Sequence, residues 1–245
     1  MCTLLFSREK GRYAVAANRD EALNRRGTGP VWHRAGSLPA VWPLDQKAGG
    51  TWIGLNTAGV MAALTNRFWV TPDGSKATRG RLVPWALRYR RAAEALADLQ
   101  QNLDPRSENG FHLLVADPTD AWLLIHRQTR FEILALPEGV TVVTERSFGE
   151  GEVLREKILR EQIRALPTAA PGIVDLAPLL LRTEGGIDAT TVHLPARNYG
   201  TLSRTLVQWT ENRHDFLFAS VFPNPAPYYG VPWAPSETGS LRNEV

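Results

Sequence analysis

The 245-residue chain carries a single cysteine, at position 2, directly behind the initiator methionine. When Met1 is trimmed, as a small following side chain allows, Cys2 presents a thiol and a free α-amine on one residue, so the nucleophile brings its own base. That is the chemistry of an N-terminal nucleophile. The plainer alternative is a frayed terminal residue with no role, since chain ends are commonly loosely ordered. Groups able to orient a nucleophile follow close behind: Asn18, Arg19, Asp20 and Glu21 form a polar run after an apolar strand pattern, where a core continuation would be cheaper.

The elements that must hold Cys2 against these residues come first in the chain. Residues 4–8 and 12–17 are short apolar runs around Glu9-Lys10-Gly11, with Gly11 placed for a positive φ, and they predict a β-hairpin. Pairing centred on Lys10 sets Cys2 opposite Asn18, with Asn18 and Asp20 on the Cys2 face and Arg19 on the reverse. A slip of one residue exchanges these assignments.

Beyond the hairpin, residues 23–46 are rich in Gly, Pro, Arg and Trp without lasting periodicity and read as a long ordered loop. In that reading Arg25, Arg26, Trp32 and Trp42 either wall a pocket or pack on the surface. A second hairpin is expected from residues 49–55 and 60–66 around Asn56-Thr57-Ala58-Gly59; Asn66, at its end, could cap a turn or donate an amide N–H to an oxyanion. Residues 79–101 show helical spacing, with Pro84 in the first turn. A third hairpin is expected at 111–116 and 121–126, and a fourth at 130–136 and 140–144. Helices follow at 151–166, with Leu154, Ile158, Leu159 and Ile163 inward, and at 174–181. The last hairpin joins 200–210 to 215–222. Strands thus arrive as antiparallel hairpins with helices grouped between them, the pattern of an α+β fold; two antiparallel sheets with helices outside make a four-layer α/β/β/α sandwich. Residues 1–222 form one domain in this reading and 223–245 a Pro-rich tail.

Composition limits the function. Apolar residues make up 43% and charged residues 22%, as in ordinary soluble globular proteins. No apolar run approaches the roughly 18 residues of a membrane span, and the N-terminus lacks a basic start and cleavage site, so a cytoplasmic protein is expected. One cysteine excludes an internal disulfide, and with no second Cys and no His-x-x-x-His spacing there is no structural zinc site or c-type haem attachment. Net charge is +3, and the 28 basic residues include 4 Lys, leaving 24 Arg spread along the chain instead of gathered into a nucleic-acid stripe.

Asn18-Arg19-Asp20-Glu21 behind Met1-Cys2, then Gly49-Gly50-Thr51-Trp52-Ile53-Gly54, Leu64-Thr65-Asn66-Arg67 and Tyr199-Gly200-Thr201, resemble the NRDE, or transport and Golgi organisation, family across nearly the whole chain. The resemblance implies an N-terminal-nucleophile hydrolase-like fold. More distantly, Asn18-Arg19-Asp20, Gly54-Leu55-Asn56 with Asn66, and Ser203-Arg204 are similar to segments of choloylglycine hydrolases and penicillin acylases with an N-terminal Cys. It implies that Cys2 attacks a carbonyl, Asp20 holds the Cys2 amine, Asn66 stabilises the oxyanion and Arg204 anchors the site. Asn18 and Arg19 complete the catalytic set, with Glu21, Arg25, Trp52, Asn56 and Glu145 as substrate-binding residues. The chain departs from that pattern twice, with Ala17 in place of an Arg and Thr144-Glu145 in place of Thr-Asn. An ionised Glu145 cannot donate, so amide hydrolysis could be lost while the pocket remains.

Two classes of function are left open by these residues. One is an amidase, thioesterase or acyltransferase working through acyl-Cys2, with an α-amine of pKa near 8 as base. The other is a non-catalytic carrier of an acyl thioester, lipid or haem, a role the family resemblance implies. Neither the residues nor the resemblance calls for a resident cofactor. His33, His112, His126, His193 and His214 could serve as haem ligands, although an isolated His is far more often structural. The oligomeric state is not legible.

Overall fold

The computed structural model describes residues 2–68, 72–149 and 153–233. In chain order the elements are β1 (Cys2–Glu9), β2 (Arg12–Ala22), β3 (Val31–Ala35), β4 (Leu38–Trp42), β5 (Ile53–Asn56), β6 (Met61–Asn66), α1 (Leu82–Ala86) and α2 (Ala92–Asn102). There follow β7 (Phe111–Ala116), β8 (Ala121–His126), β9 (Phe131–Ala135), β10 (Gly139–Thr144), α3 (Leu154–Arg164), α4 (Ile173–Leu176), β11 (His193–Leu194), β12 (Tyr199–Trp209), β13 (His214–Ser220) and β14 (Tyr229–Gly230). Contacts divide the chain into one unit of Met1–Arg25 with Pro137–Gly230, and another of Arg26–Leu136 with Val231–Val245.

The first unit is built on an antiparallel sheet in the order β10-β1-β2-β12-β13-β14, with β11 added on β12. β1 therefore lies inside the sheet, paired on both sides. Small residues on β2, Ala14 and Ala16, let Leu159 of α3 and Ile173 and Leu176 of α4 approach closely, and they close over Leu5, Val142 and Leu206. Each large apolar side chain buried in this way contributes about 1.5–3 kcal/mol. The second unit is a seven-stranded meander, β3 through β9 in sequence order, with α1 and α2 packing Leu82, Val83, Leu96 and Leu99 against Val60, Phe111, Leu113 and Leu124.

The first, second, third and last hairpins form where expected, and Pro84 lies in the first turn of α1. Six details differ. The first hairpin closes Glu9 against Arg12 over a two-residue loop in which Gly11 takes φ +83, so Cys2 stands opposite Arg19 and not Asn18. β2 also runs through the polar run to Ala22 instead of ending before it.

Residues 23–46 hold the β3–β4 hairpin, not one long loop. Its period of two was masked because His33 and Ala35 point inward while Val31 is 39% exposed, so polarity runs against burial. The expected fourth hairpin does not exist: β9 pairs with β8, whereas β10 crosses to the other sheet and pairs with β1, matching Val142 and Val143 to Leu5 and Leu4.

The helix expected over 79–101 breaks between α1 and α2 because side chains compete for its backbone. Asn56 Nδ2 takes the carbonyls of Leu87 and Tyr89, both at 2.8 Å, and Asp117 accepts the Ala92 N–H at 2.9 Å. The sixth difference is on α3, where Leu154 is 53% exposed and Arg155 occupies the inward stripe with Leu159. The expected start of that helix at Gly151, like residues 234–245 of the tail, lies outside the described residues. Within residues 223–233, Tyr229–Gly230 pairs with β13, and the Trp233 ring packs on Trp32 at 5.2 Å.

Candidate active site

The register of the first sheet sets Cys2 and Arg19 on one face, and Ser203 of β12 lies opposite Arg19. Cys2, Arg19 and Ser203 thus form a row across three adjacent strands. The Cys2 side chain is half-buried, and its sulfur accepts the backbone N–H of Asp20. Burial raises the thiol above its usual range by more than that amide and the Arg19 charge lower it. It is protonated at neutral pH and needs a base to react.

The other face carries the charged machinery. Asp20, two positions from Asn18 along β2, turns its side chain towards α3; its Oδ1 accepts the Thr201 hydroxyl at 2.6 Å, and that oxygen accepts the Val192 N–H at 2.8 Å. Arg155 reaches the same place from α3. Its Nη1 donates to Thr3 Oγ1 at 3.0 Å and lies 3.6 Å from Asp20 Oδ2 and 3.9 Å from Glu145 Oε2. Its Nη2 donates to the Ile187 carbonyl. Arg155 is 1% exposed, so one guanidinium ties β1, β2 and the residue after β10 in a fully buried cluster.

The cluster is electrostatically tense. Burial pushes the Asp20 carboxyl up to about 6, although nearby positive charge, Arg155 included, and the Thr201 hydrogen bond pull it down. Burial likewise raises Glu145, against the pull of Arg155. Tyr199, at the start of β12, is raised by burial and by the negative charge of Asp20, so it stays a neutral phenol. Glu156, next to Arg155, fixes α3 to the end of β10 by accepting the hydroxyls of Thr144 at 2.7 Å and Ser147 at 2.5 Å. The backbone of Asp20 therefore touches Cys2 while its side chain joins the ion cluster behind the strand.

The remaining residues singled out from the sequence have other local bonds. Asn18, expected on the Cys2 face, lies on the opposite one and donates to the carbonyls of Leu180 at 3.0 Å and Thr190 at 2.6 Å. Arg204, opposite Asn18, donates to Thr191 Oγ1 at 2.6 Å, and burial lowers its pKa. Arg19 donates to the Arg25 carbonyl, and Glu21 bonds Arg25 at 3.1 Å and its neighbour's N–H at 2.9 Å. In the second unit, Asn56 spends its side chain on a turn and the α1–α2 break, accepting from Ala58 and Val60. Trp52 covers Gly27, where a Cβ would come within 3.2 Å of its ring, and Asn66 closes β6 opposite Phe111.

The five histidines are each held by local neighbours: His33 on Trp42, His112 on Thr65, His126 on the Pro105 carbonyl, His193 beside Phe222 and His214 on Trp209. Among the described residues no group of three or more His, Cys, Asp or Glu is arranged to hold a metal. No helix among them is long and apolar enough to cross a membrane.

The two antiparallel sheets with their helices have the fold of the N-terminal-nucleophile hydrolases. The chain is similar to conjugated bile acid hydrolase from Clostridium perfringens (TM-score 0.61, 10% identity, 94% of this chain and 92% of that one). It is likewise similar to penicillin V acylase from Agrobacterium tumefaciens (TM-score 0.57, 15% identity, 94% and 86%). A third similar structure is the Caenorhabditis elegans N-acylethanolamine-hydrolyzing acid amidase orthologue (TM-score 0.57, 13% identity, 84% and 92%). Within that class, the chain belongs to the Transport and Golgi organisation 2 family, which it matches over residues 1–170. It is 31% identical over 131 residues to the human Transport and Golgi organization protein 2 homolog, covering 49% of this chain and 47% of that one. Identity to the mouse homolog is also 31%, over 127 residues, 48% of this chain and 45% of that one. The chain thus spans about half the length of the curated relatives it matches.

Proposed function

We propose that the protein is an N-terminal-cysteine acyl-transfer enzyme, a hydrolase or acyltransferase that cleaves a small-molecule amide or thioester through an acyl-Cys2 intermediate. The observation that carries this reading is a half-buried thiol at the head of a doubly paired strand, bonded to the Asp20 amide and backed by the Asp20–Arg155–Glu145 cluster. With Met1 removed, the Cys2 amine takes the Sγ proton and the thiolate attacks the carbonyl carbon. The ammonium then protonates the leaving amine or thiolate as its bond to carbon breaks. Water, or an acceptor, gives a proton to the same amine and attacks the acyl-Cys2 carbonyl; collapse releases the acyl product and the proton returns to sulfur. Asp20 supports the ammonium by charge. A working free thiol is kept by a reducing compartment, which supports a cytoplasmic location.

The test is turnover of acyl thioesters and acyl amides, read as release of free thiol or amine, beside an intact mass that shows whether Met1 has been removed. Wild-type protein is expected to release the leaving group and Cys2→Ala to lose it. Equal release by both contradicts covalent catalysis, and saturable binding without release makes the protein a carrier of an acyl, lipid or haem ligand instead.

A further inference from the structure

We propose that Arg155 is a positioning residue for the reaction above, the buried counter-ion that keeps Asp20 ionised behind Cys2, and that Glu145 opposes it. The proposal rests on the reading of Cys2 as the nucleophile and assigns work to two residues that never touch the reacting atoms.

The geometry is that of one cation shared by two carboxylates. Arg155 Nη1 lies 3.6 Å from Asp20 Oδ2 and 3.9 Å from Glu145 Oε2, and the side chains of all three residues are at most 4% exposed. Water cannot screen charges so enclosed, so removing one partner leaves an uncompensated buried ion. Arg146 Nε also lies 3.8 Å from Glu145 Oε1, but its side chain is 31% exposed, whereas the Arg155 side chain, 2% exposed, is enclosed between both carboxylates. Glu145 arrives by register: Thr144 pairs with Thr3, which carries the next residue to the level of Cys2.

Other charged and titratable groups act on Asp20 as well: Cys2 from β1, Tyr199 and Arg204 from β12, and the positive amino terminus of the chain. Arg155 is distinguished from the other side-chain charges by its placement. It also holds Thr3, the neighbour of Cys2, so the same guanidinium sets both the strand that bears the nucleophile and the carboxylate behind it. Glu156 fixes the helix turn from which it projects. A tether alone would explain the bonds to Thr3 and Ile187, but not two buried carboxylates within 4 Å.

A tether and a counter-ion differ in how Asp20 titrates. Carbon-13 NMR of aspartate-labelled protein, with Asp20→Asn identifying the resonance, gives the Asp20 midpoint without any turnover. An opposite charge at this range shifts a carboxylate by about one unit or more. Arg155→Gln is expected to raise the midpoint by about one pH unit, Glu145→Gln to lower it by about one, and Arg155→Lys to stay near wild type. The acid limb of turnover should move in the same directions. Unchanged midpoints in both Gln variants overturn the proposal and make Arg155 a tether. Should Arg155→Gln fail to fold, Glu145→Gln decides alone: a lowered midpoint supports the proposal and an unmoved one refutes it. Wild-type protein without turnover contradicts the enzymatic reading, while the midpoints still judge the ion cluster.

Discussion

Replacing Asp20 with Asn should change how stability depends on pH, by an amount that follows from the burial of its carboxyl. The group is raised from 3.8 to about 6 in the folded protein, a difference of about 2.2 units. At about 1.36 kcal/mol per unit, ionising Asp20 costs the folded state about 3 kcal/mol. The sign follows from proton binding: the folded state holds this proton more tightly than the unfolded chain. The contribution of Asp20 is therefore fully present below pH 3.8, is lost as pH rises through about 6, and is absent at pH 7. Asn cannot ionise and keeps an oxygen for the Thr201 hydroxyl. Urea unfolding of both proteins at a series of pH values between about 4 and 7.5 isolates this linkage, because every other titrating group is shared. The stability of Asp20→Asn relative to wild type should rise by about 2.5 kcal/mol across that interval, the remainder lying below pH 4, while turnover at pH 7.5 falls about tenfold to a hundredfold through loss of the charge behind Cys2. Parallel stability curves would refute the claim that Asp20 is buried and held ionised against a cost.

Two further predictions concern the second unit, where the structure assigns scaffold work. Asn56→Ala strips partners from the Leu87 and Tyr89 carbonyls and from two turn N–H groups, and should cost about 3 kcal/mol in chemical denaturation while leaving the Asp20 titration in place. A binding role alone for Asn56 predicts no loss of stability. At Gly50 an added Cβ would fall 2.5 Å from the carbonyl carbon of Gly80, so Gly50→Ala should lower stability by about 1–3 kcal/mol. A melting temperature equal to wild type would show that the two backbone segments do not approach so closely.

Much of the fold was legible wherever apolar alternation and turn residues agreed, as in β7 and β8 around Asp117-Pro118-Thr119-Asp120. Failures came where tertiary partners overruled local pattern. Nothing local to residues 79–101 shows that Asn56 and Asp117, distant in sequence, will take the backbone groups at the break between α1 and α2. Nearness in sequence favours a hairpin of β10 with β9, whereas β1 needs a partner on its open side. In the candidate site, the position of Cys2 and the Asn18–Glu21 run mark the two strands that the structure pairs, Cys2 against Arg19, and Gly11 marks the turn between them. Whether that turn held two or three residues decided which side chain met Cys2, and composition does not fix it. Arg155 is hidden in the sequence because hydrophobicity assigns Leu154 to the core. The signal was present in the spacing: Arg155 and Leu159 are four apart, on one helix face, and a helix stripe with Arg at an inward position marks a buried partner.

The central claim is that Cys2 becomes acylated, and mass measurement of the N-terminal peptide tests it most directly. Protein incubated with a panel of acyl thioesters and acyl amides, quenched in acid and digested, should show the peptide beginning at Cys2, without Met1, heavier by the mass of one acyl group. The Cys2→Ala peptide should show no such increase. A wild-type peptide that retains Met1, or one that stays unmodified while substrate is consumed, would contradict the account.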